Sequence, residues 1–169
     1  MVPAVIVNVM RGGPGLGNIQ ASQGDYFQGT KGGGNGDYHL LTYAPASIQE
    51  FIDIMMFAYD KAEKYRIPVL FLADGIIAQM MEPVELPEMV DYKVDPEKKP
   101  WACTGWKPGD DPKKRGIINS IYIDTETLAV HNDELQAMYK QVTANELMWE
   151  EYNCENAEYI ITAFGTVAR

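Results

Sequence analysis

The chain has 169 residues, of which 46% are hydrophobic and 22% are charged, and its formal net charge is -10. Length and composition are typical of one globular domain with a substantial core. The acidic balance argues against nucleic acid and anionic membrane surfaces as partners, because both attract basic proteins. No apolar run approaches the roughly 18 residues that a transmembrane helix requires, and no secretory signal peptide is recognisable at the N-terminus.

The chain has two cysteines, Cys103 and Cys154, and two histidines, His39 and His131. One disulfide is an open alternative, but two distant cysteines without a leader favour free thiols in a reducing compartment, the cytoplasm. Neither cysteine belongs to a Cys-x-x-Cys pair, and the histidines are isolated. The sequence therefore predicts no metal or iron–sulfur site within this chain.

A glycine-rich loop follows the first apolar run. Residues Val5–Val9 are mostly β-branched, which predicts a strand buried on both faces, as in a parallel sheet. Arg11 comes just past its carboxyl end and is followed by Gly12 and Gly13. Because α/β folds bind ligands outside the carboxyl ends of their strands, we expect the function to centre on Arg11.

A second glycine-rich loop separates this region from the next strand. We expect a short helix over residues 18–28, with Asn18 as its N-cap. Residues 29–36 contain too many glycines for regular structure, and Tyr38–Tyr43 is the next predicted strand. Asp37 is a candidate ligand contact between these loops, although a solvated side chain is the more common role for such a residue.

The clearest helix starts after Ser47, which forms a capping box with Glu50. Apolar residues recur at helical spacing from Ile48 to Ala62, and Pro68 marks the end of the helical region. A strand is predicted at Val69–Ala73. Strand, helix and strand at this length form a βαβ unit with a right-handed crossover, so the predicted fold is α/β with a mostly parallel sheet flanked by helices.

The second half of the chain has a different character. A short helix is expected at Ile76–Met81, and six prolines between residues 83 and 116 predict an extended connector whose two tryptophans indicate packing against the protein. We predict a helix at Asp133–Tyr152, capped by Asn132 or Asp133, and a strand at Tyr159–Phe164. The resulting segments are 1–82, a connector 83–132, a helical segment 133–156 and the first strand of another α/β domain in 157–169.

Five segments together resemble one protein family, the α subunits of the 2-oxoacid:ferredoxin oxidoreductases, nearest to the branched-chain 2-oxoisovalerate type. They occur in the family's order: NVMRGGPGLGN (8–18), SQGDYFQGTKGGGNGDY (22–38), APASIQEFID (44–53), AEKYRIPVLFLADG (62–75) and QMMEPVE (79–85). The resemblance covers residues 3 to about 90 and resumes over 139–169.

The resemblance implies oxidative decarboxylation of a 2-oxoacid to an acyl-coenzyme A, with ferredoxin as electron acceptor. The α subunit supplies the domain that binds the aminopyrimidine of thiamine diphosphate. A β subunit binds the diphosphate and its magnesium ion, and further γ- and δ-type subunits complete the complex, with the iron–sulfur clusters on partner chains.

The resemblance also assigns residues. Arg11 matches the arginine that binds the substrate carboxylate, Gly12, Gly13 and Asn18 are candidates for cofactor contacts, and Asp37 is a candidate for a substrate contact. The alternatives are a surface arginine that follows a strand, and glycines that merely allow a tight turn near a partner subunit. Family members often have His where this chain has Asn35, which leaves any polar role of that loop open.

The resemblance further implies that Val5–Asp74 is the second half of a pyrimidine-binding domain, and that 157–169 opens the next domain. The half that carries the glutamate activating the pyrimidine is not in this sequence, so we expect a fragment or a partner chain that supplies it. Two other interpretations stay open: a non-catalytic assembly module of such a complex, and a flavodoxin-like nucleotide-binding domain suggested by the glycine loops alone.

Overall fold

The computed structural model describes residues 1–91, 95, 97–103 and 105–169. The strands are β1 (Ala4–Met10), β2 (Leu41–Tyr43) and β3 (Pro68–Asp74). The α-helices are α1 (Tyr26–Thr30), α2 (Ile48–Tyr65), α3 (Gly75–Gln79) and α4 (Thr125–Asn145), and short 3₁₀ turns occur at Pro112–Lys114 and Gly165–Ala168.

The three strands form one parallel sheet in the order β1-β3-β2, which confirms the predicted α/β class. The central strand β3 is buried on both faces. Met10 lies opposite Asp74, and Tyr43 lies opposite Phe71. The carboxyl ends of all three strands therefore point towards one edge of the sheet.

The prediction that Val5–Val9 is buried on both faces was wrong for β1, in which Ile6 is 45%, Val7 46% and Val9 45% exposed. Among the described residues, β1 is an edge strand that pairs only with β3, and these residues cover it incompletely.

Helix α2 connects β2 to β3 and confirms the predicted βαβ unit. Ser47 caps it, since its hydroxyl accepts a hydrogen bond from the Glu50 amide at 3.1 Å. The Glu50 carboxylate reaches back to the Ala46 amide at 2.6 Å, one residue before the partner that a capping box predicts. The helix ends at Arg66, which adopts the left-handed conformation with φ 52°.

Two apolar layers cover the sheet. On one face α2 buries Ile54, Ala58 and Ala62 against Phe71, and Tyr139 of α4 joins the same cluster. On the other face Met10, Leu70 and Leu72 pack together with Phe164. Helix α1 also approaches this second face closely at Gly29. A Cβ there would lie 3.0 Å from Leu70 Cδ2, tighter than most such contacts, so glycine favours the close approach.

The prediction of a helix over residues 18–28 was wrong. Regular helix begins only at Tyr26, and Asn18 is not an N-cap. Residues 12–20 instead fold back on themselves, because the Gly12 amide donates to the Gln20 carbonyl and the Asn18 amide donates to the Gly12 carbonyl, both at 2.8 Å. Glycine permits this closure, and the closure satisfies backbone groups that a helix would otherwise pair. Strand β2 is also shorter than predicted, beginning at Leu41.

Two predictions in the second half also differ from the structure. Helix α4 runs over Thr125–Asn145 rather than 133–152, with Asp124 as its N-cap: the Asp124 carboxylate accepts from the Thr127 amide at 2.8 Å. The predicted strand at Tyr159–Phe164 is not formed. Ile161 is 93% exposed there, and no described strand lies alongside to pair with this segment.

The carboxyl end of α4 is attached to α2 by one buried carboxylate. Glu146 is 7% exposed and lies 2.5 Å from Lys61 Nζ and 3.2 Å from Lys64 Nζ. It also accepts a hydrogen bond from the Tyr65 hydroxyl at 2.5 Å. Burial by itself would raise the pKa of Glu146, but the bonds from Lys61, Tyr65 and Lys64 outweigh it and lower the pKa to about 2.

We predict that Glu146→Gln lowers the free energy of unfolding at pH 7 by about 2 kcal/mol, the usual value of hydrogen bonds to a charged group. An unfolded glutamate has a pKa near 4.3, above the folded value of about 2. The contribution of Glu146 is therefore complete above about pH 5 and is lost as the pH falls towards 2.

Urea denaturation of the wild-type protein and of Glu146→Gln from pH 7 to pH 3 measures the difference between their free energies of unfolding. This difference should become smaller below about pH 5. Glu134→Gln on α4 is the matched control. Its carboxylate is exposed and lies 3.7 Å from His131 Nδ1, so its loss should leave the free energy nearly unchanged. A difference that stays constant over the pH range would contradict the assignment.

Candidate functional site

The carboxyl edge of the sheet brings three connections together. The glycine loop leaves β1 at Arg11, helix α3 leaves β3 after Asp74, and the turn into α2 leaves β2 after Tyr43. Because β1 and β3 pair as far as Met10 and Asp74, Arg11 starts its loop beside the end of the central strand. This is the edge at which parallel α/β sheets bind ligands.

Arg11 has a fixed backbone and an open side chain. Its main chain forms an isolated antiparallel bridge with Ala21, which holds the two ends of the glycine loop together. The side chain is exposed. Its guanidinium makes no hydrogen bond or ion pair with the described residues. The positive charge is thus available for an anionic ligand.

The glycine loop is closed by Asn18 and depends on Gly17. The Asn18 side-chain oxygen accepts from the Gln20 amide at 2.8 Å, in addition to the backbone bond from Asn18 to Gly12. Gly17 has φ 56°, and a Cβ there would lie 1.7 Å from the Gly12 carbonyl oxygen. No other residue fits at Gly17 without opening the loop.

This geometry separates the candidates that the sequence grouped together. The Gly12 amide is already bonded to Gln20 within the loop. Gly13 is exposed, and its amide makes no bond to the described residues. The Asn18 oxygen serves the loop, while its Nδ2 group donates to no described residue. The Gly13 backbone amide and Asn18 Nδ2 therefore remain as donors that a ligand could use.

The structure does not bring Asp37 to Arg11. Asp37 is exposed and belongs to the second glycine loop, which leads into the amino end of β2. In that loop the Gly33 amide donates to the Tyr38 hydroxyl at 3.1 Å. No hydrogen bond or ion pair joins Asp37 to the Arg11 loop in the described part of the chain.

Asp74 is a buried polar residue at this edge. From the sequence alone it is interpreted only as the end of a strand. It is 2% exposed. Its Oδ1 accepts from the Ile76 and Ile77 amides at 2.9 and 3.2 Å, and its Oδ2 accepts from the Thr166 hydroxyl. Burial by itself would raise the pKa of Asp74, but these donors outweigh it and hold the pKa below its usual value. An aspartate directly after a buried strand, before a short helix, was the available signal.

The C-terminal segment 164–166 lies across the same edge. The Gly165 amide donates to the Ala44 carbonyl at 3.3 Å, and Gln23 Nε2 donates to the Phe164 carbonyl at 2.8 Å. The Phe164 ring stacks on Tyr26 at 5.1 Å between centroids. Residues distant in sequence therefore complete the edge that carries Arg11.

A cavity of about 480 Å³ lies elsewhere, lined among others by His39, Ile67 and Tyr139. His39 and Ile67 precede β2 and β3, so this cavity is at the amino edge of the sheet, away from Arg11. The carboxyl edge is the better candidate because it combines a cation, Arg11, with hydrogen-bond donors that have no partner among the described residues. No group of three histidine, cysteine, aspartate or glutamate side chains in the described residues could hold a metal ion.

Both cysteines are free. Within the described residues, none of the helices has the length and apolar character needed to cross a membrane.

Comparison with known proteins gives a consistent result. Residues 1–151 match the family described as "Pyruvate flavodoxin/ferredoxin oxidoreductase, thiamine diP-bdg". Ketoisovalerate oxidoreductase subunit VorB of Methanothermobacter marburgensis is 43% identical over 169 residues, 99% of this chain and 46% of the relative. 2-Oxoglutarate synthase subunit KorA of Methanocaldococcus jannaschii is 44% identical over 101 residues, 58% of this chain and 27% of the relative.

A solved structure shares the fold. The 2-oxoglutarate:ferredoxin oxidoreductase from Magnetococcus marinus, with 2-oxoglutarate, coenzyme A and succinyl-CoA bound, superimposes with a TM-score of 0.58 at 19% identity, covering 86% of this chain and 29% of that chain. Almost all of this chain matches the VorB relative, but the match spans only about half of that relative's length. From its matched residues and its parallel sheet, the chain belongs to the thiamine diphosphate-binding family of the pyruvate flavodoxin/ferredoxin oxidoreductases.

Proposed function

We propose that this chain is part of the α subunit of a thiamine diphosphate-dependent 2-oxoacid:ferredoxin oxidoreductase, in which Arg11 binds the substrate carboxylate. Such a complex converts a 2-oxoacid to an acyl-coenzyme A and reduces ferredoxin. The observation that carries the proposal is the state of Arg11: its backbone is fixed by the bridge to Ala21, and its exposed side chain has no partner among the described residues.

The chemistry of a 2-oxoacid suits an arginine at this position. Its carboxylate is planar and receives two parallel charge-assisted hydrogen bonds from a guanidinium group. The same carboxylate is the group that leaves, so its orientation controls the carbon–carbon bond that breaks. An arginine on a closed loop holds that orientation better than one on a free loop.

The residues of the glycine loop suit the neutral ring of the cofactor better than its diphosphate. The Gly13 amide and Asn18 Nδ2 are uncharged donors, and Arg11 is the cation that follows β1. When bound, thiamine diphosphate supplies the electron sink for loss of carbon dioxide. In this chain Gly13 and Asn18 would orient the ring, and Arg11 would hold the substrate.

Other chains would complete the enzyme. We infer that a β subunit binds the diphosphate and a magnesium ion, and that partner chains of the γ and δ type carry the iron–sulfur clusters that reduce ferredoxin. Two apolar side chains of the loop support a protein surface opposite it: Leu16 is 86% exposed and Ile19 is 80% exposed. Apolar side chains projecting from one loop are typical of a subunit interface.

The substrate proposed is a branched-chain 2-oxoacid such as 2-oxoisovalerate. The support is the ketoisovalerate oxidoreductase subunit, which matches 99% of this chain, whereas the 2-oxoglutarate synthase subunit matches 58%. We also keep the proposed division of the chain: Val5–Asp74 as the second half of a pyrimidine-binding domain, and 157–169 as the opening of a second domain.

We predict that Arg11→Lys in the complete complex raises the KM for the 2-oxoacid about ten-fold or more and lowers kcat, because a lysine cannot make the paired bonds that hold and orient the carboxylate. Steady-state reduction of ferredoxin measures both constants. Arg115→Lys is the matched control, since Arg115 stacks on Trp106 at 5.1 Å in the connector.

An unchanged KM for Arg11→Lys in a correctly assembled complex would refute the role of Arg11. A lower yield of assembled complex, with an unchanged KM in the complex that does form, would favour the assembly-module interpretation instead.

A pair of substitutions tests the role of Asn18. Asn18→Asp keeps the oxygen that accepts from the Gln20 amide but removes the free Nδ2 donor, whereas Asn18→Ala removes both. If Nδ2 donates to the cofactor, both variants should raise the Kd for thiamine diphosphate roughly three- to ten-fold, the value of one hydrogen bond. Calorimetric titration of the complex measures Kd. A normal Kd for Asn18→Asp would show that Asn18 only closes the loop.

A further inference from the structure

The buried carboxylate of Asp74 is not used by the proposed function, although it lies next to Arg11 in the fold. Asp74 ends β3 opposite Met10, the residue that precedes Arg11. Its two oxygens have different hydrogen-bond partners. Oδ1 accepts from the Ile76 and Ile77 amides and so caps α3, and Oδ2 accepts from the Thr166 hydroxyl. One side chain thus joins the central strand to the C-terminal segment.

A chain of contacts leads from Asp74 to Arg11. Gly75 follows Asp74 and lies near Ala21, since a Cβ added to Gly75 would be 3.6 Å from the Ala21 Cα. Ala21 forms the backbone bridge with Arg11. The first residue of α3 therefore lies beside the isolated bridge that holds the Arg11 backbone.

The segment that carries Thr166 also contacts the chain on the far side of the glycine loop. Gln23, two residues after Ala21, donates to the Phe164 carbonyl at 2.8 Å, and Tyr26 stacks on the Phe164 ring. Segment 164–166 thus reaches the Arg11 loop by two routes, through Asp74 and through Gln23.

From these contacts, and resting on the proposed role of Arg11, we propose that Asp74 is a positioning residue that couples docking of segment 164–166 to the placement of the Arg11 guanidinium. The hydroxyl of Thr166 makes the contact through which the segment acts. In the proposed division of the chain, this segment belongs to the second domain. The coupling would therefore make the affinity for the substrate depend on the position of the second domain relative to the sheet.

The donors around Asp74 indicate why a carboxylate is needed there. The Ile76 and Ile77 amides and the Thr166 hydroxyl converge on it, and each requires an acceptor. Burial by itself would raise the pKa of Asp74, but these bonds outweigh burial and lower the pKa below its usual value. The backbone of Thr166 also contributes to the lowered pKa of Asp74. The carboxylate therefore stays charged across the neutral range.

The test compares Thr166→Val with Thr166→Ser in the complete complex. Valine has the shape of threonine without the hydroxyl, and serine restores the hydroxyl. We expect Thr166→Val to raise the KM for the 2-oxoacid roughly three- to ten-fold, the effect of one hydrogen bond, while Thr166→Ser stays near the wild-type value. The KM for coenzyme A should not change in either variant. A merely structural role would lower the amount of active complex and leave both KM values unchanged.

Gln23→Met provides a second, independent variant, because it removes the other contact to the segment and should raise the same KM. If Thr166→Val does not assemble, Asp74→Asn decides the question, because its oxygen can still accept from the α3 amides while its Nδ2 cannot accept from the Thr166 hydroxyl. An unchanged KM in the assembled Thr166→Val complex, or in the assembled Asp74→Asn complex where Thr166→Val fails, would overturn the proposal.

Combining each variant with Arg11→Lys distinguishes this inference from the proposed function. If the coupling acts through Arg11, the effect of Thr166→Val on KM should disappear in the Arg11→Lys background. If Arg11→Lys raises KM but Thr166→Val does not, only the coupling fails. If Arg11→Lys has no effect, the role of Arg11 fails, and any remaining effect of Thr166→Val contradicts positioning through Arg11.

Discussion

Parallel pairing of β3 with β1 on one side and β2 on the other is the constraint on which the rest of the structure depends. It points the three strand ends to one edge and therefore gathers three connections there. It also buries β3 on both faces, which requires one apolar layer from α2 and α4 and a second from α1 and Phe164. The parallel pairing thus determines both the two apolar layers and the edge at which the candidate site lies.

Two buried carboxylates attach the later part of the chain to this frame. Glu146 joins the end of α4 to α2 through two lysines and a tyrosine, and Asp74 joins β3 to Thr166. A buried charge is tolerated only where its oxygens are satisfied, and each of these has several donors. The two attachments lie on opposite faces of the sheet, so α4 and segment 164–166 are held independently.

The glycine loop is an ordered structure rather than a flexible one. Its conformation is maintained by the backbone bonds between Gly12, Asn18 and Gln20, and by the absence of a side chain at Gly17. After closure, three groups of the loop have no partner among the residues that the structure describes: the Arg11 guanidinium, the Gly13 backbone amide and Asn18 Nδ2. Such a set can orient a carboxylate and a neutral ring, which agrees with a family whose members bind thiamine diphosphate.

The sequence by itself determined those features whose cause is local. The alternation of apolar runs with the capped helix after Ser47 predicted the βαβ unit, because helix caps depend on neighbouring residues. The position of Arg11 after β1 likewise indicated the candidate site at the carboxyl edge of the sheet. Only the tertiary structure decided the rest. Residues 18–25 are not helical because Asn18 and Gln20 bond back to Gly12, and residues 159–164 form no strand because none of the described strands lies beside them. The role of Asp74 likewise depends on Thr166, a residue far away in sequence. Contacts of this kind leave no periodic or local pattern in the sequence, since the partners meet only when the sheet is assembled.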